Sequence, residues 1–240
     1  MIQVIVTQYC PDCGRDNLVR NGTDYKGDQK FRGNDCGAYG TLDATRRYPP
    51  ERKEEILRAY QERSSMRGIR RTLGVARQTL ARWLKQKAQA LPGVAETLDP
   101  ARADDVLERD ELGSFVSSKD NQRWVWIARC RRTRQIVAFF VGDRSEASCR
   151  QLWDRRPEAY RRCRTFSAFW DAYPKVFATG KHQSVGKDSG ETNHVERWNN
   201  TLRQRLARFV RKTLSFSKSD FYHELVLRLF IIRYNIECIS

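Results

Sequence analysis

One carboxylate, Glu196, stands in an otherwise basic stretch from Asn193 to Lys218 that carries Arg197, Arg203, Arg205, Arg208, Arg211, Lys212 and Lys218. Two readings compete for it. Arg203 lies seven residues on, two turns along the same helical face, which would make a helical ion pair. Alternatively, Glu196 is a metal-binding acid beside a track for nucleic-acid backbone. The second reading is preferred because the chain supplies partners for it. Asp104, Asp105, Glu108, Asp110 and Glu111 put five acids into eight residues far upstream.

A second set of chemistry-bearing residues opens the chain. Cys10-Pro-Asp-Cys13-Gly is a tight turn that points two thiolates at one metal. A ribbon needs a second such turn about 15–20 residues on, and the chain offers Gly33-Asn-Asp-Cys36-Gly. Gly33 occupies the place of the fourth ligand. Cys10, Cys13 and Cys36 therefore leave two alternatives: zinc with water or another group completing its shell, or a small β module with reduced thiols. The remaining cysteines, at 130, 149, 163 and 238, are scattered as in a reducing cytoplasm.

The elements that must position these groups follow from periodicity. Ile56, Leu57 and Tyr60 repeat at helical spacing after Pro49-Pro50. Arg67 to Leu84 reads as a helix-turn-helix, with Gly74 at the turn and Ile69, Leu73, Leu80, Trp83 and Leu84 packing the two helices together. Arg77, Gln78 and Arg82 then face outward, with Arg67, Arg70 and Arg71 beside them. Arg63 to Lys87 holds eight basic residues and no acid, which suits phosphate contact. The competing reading is a helical hairpin with a solvated basic face.

Residues 91–103, with two Pro and a Gly nearby, are expected to form a linker. The acidic segment, then Arg123 to Cys130 and Ile136 to Val141, reads as three consecutive strands with an acid on the first, the opening of an RNase H-like sheet. Glu146 to Arg155 is expected as a helix, and Cys163 to Tyr173 as a strand running into a short helix. Residues 177–192 are expected as a mobile loop. Asp220 to Asn235 is expected as an amphipathic helix covering the sheet with Phe221, Leu225, Leu229 and Ile232. The fold class is thus multidomain α+β. It comprises a zinc-ribbon-like module at 1–46, a helix-turn-helix at 47–90, the linker, and an RNase H-like domain with a mixed sheet at 104–240.

Net charge is +16, from 45 Lys+Arg against 29 Asp+Glu, and the pI is about 9.9. That balance favours a polyanion, and nucleic acid over a membrane, as partner. No apolar run approaches the roughly 20 residues of a transmembrane helix. The start, Met1 to Cys10, carries no signal-peptide pattern. A cytoplasmic, nucleoid-associated location is expected.

The run Gly180 to Gly186 continuing into Asn193-His-Val-Glu196-Arg-Trp-Asn-Asn-Thr-Leu-Arg203 and on to Lys218 resembles the transposases of the IS-one family of bacterial insertion sequences. Weaker matches are Leu107–Val116, Arg123–Ala128 and Phe169–Val176, and the resemblance is read over nearly the full length. It implies cleavage and joining of double-stranded DNA, at element ends and target, by three carboxylates holding two Mg²⁺ or Mn²⁺ ions. It also implies a homodimer or higher assembly on DNA. Asp110 matches the first acid and Glu196 the last, with Arg203 near the scissile phosphate. Arg197, Arg205, Arg208, Arg211 and Lys212 are expected along the DNA. The middle acid should stand at 168, where this chain has Ala168. Asp171, three residues on, would point to the other face of a strand.

Three further departures stand out. Gly33 replaces a cysteine, Gly113 stands where Trp is expected, and Arg109 where an apolar strand residue is expected. The resemblance therefore implies a transposase with disabled catalysis. The alternative is a sequence-specific DNA-binding protein or repressor derived from one; a nuclease or resolvase of the same fold is less favoured. His182 and His194 flank the Glu196 segment and are weighed as site residues against structural roles; His223 is read as structural. Among the tryptophans, Trp198 is the candidate to stack on a base.

Overall fold

The computed structural model describes residues 7–25, 27–42, 48–177 and 181–239, without the side chain of Lys187. Gly180, residues 1–6 and residues 43–46 of the expected N-terminal module lie outside the described residues. The chain divides into two compact units, Met1–Lys53 and Glu54–Ser240. The described part holds two sheets and seven α-helices, none long and apolar enough to cross a membrane.

In the first unit, β1 (Leu18–Thr23), β2 (Gln29–Gly33) and β3 (Tyr39–Thr41) form an antiparallel sheet in that order. Asn21-Gly22 sits inside β1, not at the hairpin turn. Gly22 takes φ +71° at the point where the β1–β2 register shifts. The turn itself is closed by Gly27 N–H to the Asp24 carbonyl at 3.0 Å.

Helix α1 (Pro50–Tyr60) starts on a proline, whose missing N–H costs nothing at that position. Its Ile56, Leu57 and Tyr60 are buried. Helix α2 (Met66–Leu73) is capped by Ser65, whose Oγ accepts from Gly68 N at 2.9 Å, and ends at Gly74 with φ +72°. Helix α3 (Arg77–Ala90) buries Leu80, Trp83, Leu84 and Ala88. The expected linker is not free chain. Thr97 is buried, its carbonyl accepts from Gln135 Nε2 at 2.8 Å, and its hydroxyl accepts from Asn235 Nδ2 at 3.1 Å. Residues 54–90 accordingly belong to the same compact unit as the second sheet.

That sheet contains β4 (Val106–Phe115), β5 (Gln122–Cys130), β6 (Ile136–Gly142), β7 (Arg164–Ala168) and β8 (His182–Val185) in the order β6-β5-β4-β7-β8. The first three strands form an antiparallel meander, and β7 and β8 run parallel to β4. Strand β8 lies within the segment expected as a loop. Alternation along β5 separates two faces. Trp126 and Ala128 pack with α4 (Glu146–Asp154) and α5 (Ala172–Val176). Val125 and Ile127 pack with α6 (Asn193–Arg205) and α7 (Asp220–Glu237).

Helix α7 differs from the amphipathic helix expected. Nine of its residues are buried, from His223 to Asn235, whereas Phe221 is 54% exposed. It packs on the sheet side and also against α3, so between His223 and Asn235 its buried residues fall on more than one face.

Residues on β4 alternate accordingly. Arg109 faces α4 and α5, fully buried, its guanidinium carbon 3.7 Å from the Phe177 ring centre and 5.3 Å from that of Trp153. This aromatic cage is how a cation replaces an apolar strand residue. Burial, together with the charge of Arg156, pulls its pKa down to about 9.

Glu108 faces the other way and is fully buried. Its Oε2 accepts the backbone N–H groups of His194 and Val195, each at 3.0 Å. Its Oε1 meets Arg131 Nε at 2.8 Å and His194 Nδ1 at 2.9 Å. Thr192, which precedes α6, supplies no side-chain cap, so a strand carboxylate caps the helix instead. Glu108→Gln keeps the shape but removes the charge that two amides and a guanidinium share. It should lower unfolding stability by roughly 2–4 kcal/mol, measured by urea denaturation; a change under about 0.5 kcal/mol would refute this role.

Candidate active site and nucleic-acid interface

Asp110 lies two residues beyond Glu108 on the same face of β4, and α6 lies over it. Asn199 Nδ2 donates to Asp110 Oδ2 at 2.7 Å. Glu196, Asn199 and Arg203 recur at i, i+3 and i+7, one face of α6. Arg203 Nη2 donates to the Gly113 carbonyl of β4 at 3.3 Å and Nη1 to the Phe209 carbonyl at 3.2 Å. Glu196 accepts from the Thr192 hydroxyl at 3.0 Å. The helical ion pair between Glu196 and Arg203 is absent among the described residues.

Ala168 is the last residue of β7. The parallel register pairs Arg109 with Ser167, so the next residues along, Asp110 and Ala168, end up side by side. A methyl thus occupies the strand end beside Asp110. Asp171 does not substitute. It has left the strand altogether, precedes α5 and is exposed, so strand parity does not apply to it. Glu111 points to the opposite face, where Tyr173 Oη donates to it at 2.9 Å and Arg144 Nη2 at 2.7 Å.

Asp110 is held in protonation balance by its surroundings. Burial first, then the like charge of Glu111, with Glu196 adding, push its pKa up to about 7; the Asn199 hydrogen bond works the other way. Arg203 is lowered by burial and by Arg211, while the charge of Asp110 opposes that shift.

The expected basic residues fall into two groups. Arg67, Arg70, Arg71, Arg77, Gln78 and Arg82 are all exposed on α2 and α3, and the first four surround a hollow. Arg197, Arg211 and Lys212 are also exposed. Arg205 and Arg208 are instead used internally. Arg205 Nε donates to Glu62 Oε1 at 3.1 Å and its Nη1 to Glu237 at 3.3 Å. Arg208 bonds the Tyr60 hydroxyl, Ser217 Oγ and the Tyr222 carbonyl.

In the first unit, the sulfurs of Cys10, Cys13 and Cys36 lie within 4.8 Å of one another. A Cβ placed on Gly33 would sit 3.0 Å from Cys36 Sγ and 3.3 Å from Cys10 Sγ. Three converging thiols suit zinc in ligand type, and position 33 borders the same point in space.

The family model for IS1 transposase matches residues 106–236, more than half of the chain. The chain belongs to the IS1 transposase family. The insertion element iso-IS1n protein InsB of Shigella dysenteriae is 37% identical over 126 residues, which is 52% of this chain and 93% of that protein. The insertion element IS1 protein InsB of Shigella flexneri is 36% identical over 120 residues, 50% of this chain and 88% of its own. The insertion element IS1 4 protein InsB of Escherichia coli K12 is 34% identical over 120 residues, 50% and 70% respectively. The family match starts at the first residue of β4 and takes in Asp110, Ala168, Glu196 and Arg203. Before Val106, the resemblance rests on the cysteine and helix patterns.

Other residues of this IS1-family chain settle into structural positions. His182 bonds Thr165 and Ser167 and packs on Tyr173 and Phe177, on the face away from Asp110. Burial lowers its pKa to about 4. His223 bridges Ser114 and Ser217 at 2.9 and 2.8 Å. His194 pairs with Glu108. Trp198 is 2% exposed and packs on Phe230 and Tyr234, so it has no free face for a base. Sequence reasoning missed Glu108 and Asn199. The latter carried one available signal, its position three residues after Glu196.

Asp110 binds its proton more tightly in the folded chain than in the unfolded one, so its contribution to stability is lost as pH rises from 3.8 toward about 7. Asp110→Asn keeps the acceptor for Asn199 and removes that loss. In metal-free buffer the variant should match the parent near pH 4 and exceed it by a few kcal/mol near pH 8, at about 1.4 kcal/mol per pKa unit as an upper bound. A pH-independent difference in urea midpoints would show that Asp110 is not perturbed. For the cysteine cluster, Gly33→Cys should tighten zinc binding at least about tenfold in a chelator competition once the neighbouring sulfurs yield slightly. Equal affinities would mean that position 33 does not reach the metal.

Proposed function

We propose that this chain is a DNA transposase by architecture whose catalytic acids are incomplete. The observation that carries the reading is the juxtaposition of Asp110, mid-way along β4, with Ala168 at the end of β7, beneath the Glu196–Asn199–Arg203 face of α6. The strand order and directions of the five-stranded sheet support an RNase H-like domain over 104–240. The Gly74 turn and the exposed arginines of α2 and α3 support a helix-turn-helix over 47–90 that binds the terminal inverted repeats. Residues 91–103 would connect the two, and the converging Cys10, Cys13 and Cys36 support a zinc-ribbon-like module, assigned to 1–46, in which they would hold Zn²⁺.

Phosphodiester attack in this chemistry uses two divalent ions, one lowering the nucleophile's pKa and one stabilising the leaving oxygen. Asp110 and Glu196 would hold Mg²⁺ or Mn²⁺. The residues present do not fit the bridged pair, because the strand end that should carry the shared carboxylate carries a methyl. The chain's own groups still do part of the work. Asn199 orients Asp110, and Arg203 is pinned between two carbonyls near the site. The exposed Arg197, Arg211 and Lys212 neutralise backbone phosphates. Holding two element ends together implies a homodimer or higher assembly on DNA, in the bacterial cytoplasm at the nucleoid.

A binding-only role, as a repressor of related elements, is the second reading, and Ala168 is the observation that favours it. A nicking and strand-transfer assay on supercoiled DNA with Mg²⁺ or Mn²⁺ separates the two. Ala168→Asp should cut at least about 10²-fold faster than the parent chain, in line with several kcal/mol from the restored ion pair. If both versions bind DNA and neither cuts, the binding-only role stands.

A further inference from the structure

The basic concavities of the Glu54–Ser240 unit share residues. The first, about 410 Å³, is enclosed by Arg67, Arg70, Arg71 and Arg77 on α2 and α3. Arg67 and Arg77 also line a second cavity of about 240 Å³, whose far wall includes Arg208 and Lys218. Arg208 also lines a third, a cleft of about 340 Å³ bounded by Gly113, Lys119, Arg203, Arg211 and Lys212. Gly113 is three residues from Asp110 on β4. No carboxylate lines any of the three. Two cavities elsewhere on the unit both include glutamates.

The joint beneath this track is fixed. Arg63 N–H donates to the Arg205 carbonyl at 2.6 Å, Glu62 pairs with Arg205 and with Arg233, and Arg208 bonds the Tyr60 hydroxyl. The turn after α1 is thereby tied to the end of α6 and to α7. Helices α2 and α3 thus belong to the same compact unit as the strand that bears Asp110. The four arginines of the first hollow make no ion pair or side-chain hydrogen bond among the described residues, so they are available to phosphate.

We propose that one DNA end follows this track on a single protomer, so that the α2–α3 helices deliver the end they bind to the Asp110–Glu196 site of their own chain. The inference rests on the proposed DNA-binding role and adds the assignment of each end to one subunit. A backbone carrying one charge per about 1.7 Å of duplex axis favours a path lined by cations; Arg67, Arg77, Lys218, Lys119, Arg211 and Lys212 line one, and the internally bonded Arg208 forms the wall where the second and third hollows meet. An arrangement in which a second protomer receives the end would leave the continuity of the three hollows without a role.

The test needs no catalysis. The full chain carries a photo-crosslinker at Lys119, an exposed residue of the cleft, as Lys119→benzoylphenylalanine. The probe is a labelled duplex selected from random-sequence DNA by the parent chain. A second version adds Arg70→Glu and Arg71→Glu, both exposed and unpaired, with unchanged thermal midpoint as the check on folding. The first version should crosslink the duplex. The second should lose at least tenfold of that yield and should not regain it when mixed with excess parent chain lacking the crosslinker. Recovery in the mixture would show that the partner's helices deliver the DNA and would overturn the proposal. Binding by the first version without any crosslink would overturn it too. Failure to select any duplex would refute the DNA-binding role itself, and this inference with it.

Discussion

The fold of the larger unit depends on a buried carboxylate at the start of a helix. The fully buried Glu108 takes two backbone amides of α6, a guanidinium and an imidazole as partners, with Arg131 and His194 reaching out from it to the surface. A charge in that position is tolerable only because every lone pair is used and because the helix N-terminus is itself electropositive. The interaction fixes where α6 begins along β4. Everything that faces Asp110 from above follows from that register: Glu196 in the first turn, Asn199 one turn later, Arg203 two turns later.

The same arrangement explains why the strand end beside Asp110 holds its place with only a methyl at 168. Ala168 ends a parallel strand whose position is set by four register pairs with β4 and four with β8. No side chain at 168 is needed to hold the strand. What remains is a carboxylate whose pKa is raised by burial and by two neighbouring acids, and which has a single side-chain donor in Asn199. An acid so placed is an energetic cost to the metal-free fold. The sheet bears that cost through its apolar faces, with Val125 and Ile127 on one side and Trp126 and Ala128 on the other.

Much of this was legible in the residues, for identifiable reasons. The turn glycine at 74 and the apolar positions Leu80, Trp83 and Leu84 obey local rules. Asp110 and Glu196 stood out because each breaks the character of its surroundings. What escaped is non-local. Glu108 looked like one more acid in an acidic strand, since nothing in the sequence reveals that residues 86 positions away would supply its partners. Arg205 and Arg208 looked like DNA contacts because charge runs do not show which members face inward toward Glu62 or Tyr60. Trp198 was misread for the same reason, and the packing of Thr97 within the stretch 91–103 was equally hidden. Whether a tryptophan or a Pro-rich segment is covered depends on α7, whose Phe230 and Tyr234 lie more than 30 positions downstream of Trp198.

Helix α7 also bears on how such a chain can be divided. It is buried on more than one face because it serves the sheet on one side and α3 on another, while the segment before β4 is stitched to it through Thr97, Gln135 and Asn235. A cut between α3 and the sheet would strip cover from Leu225 and Leu229 and leave a sticky apolar wall. The two halves are therefore not exchangeable parts: any shuffling of one between related elements must bring a matching surface for α7, which ties their evolution together.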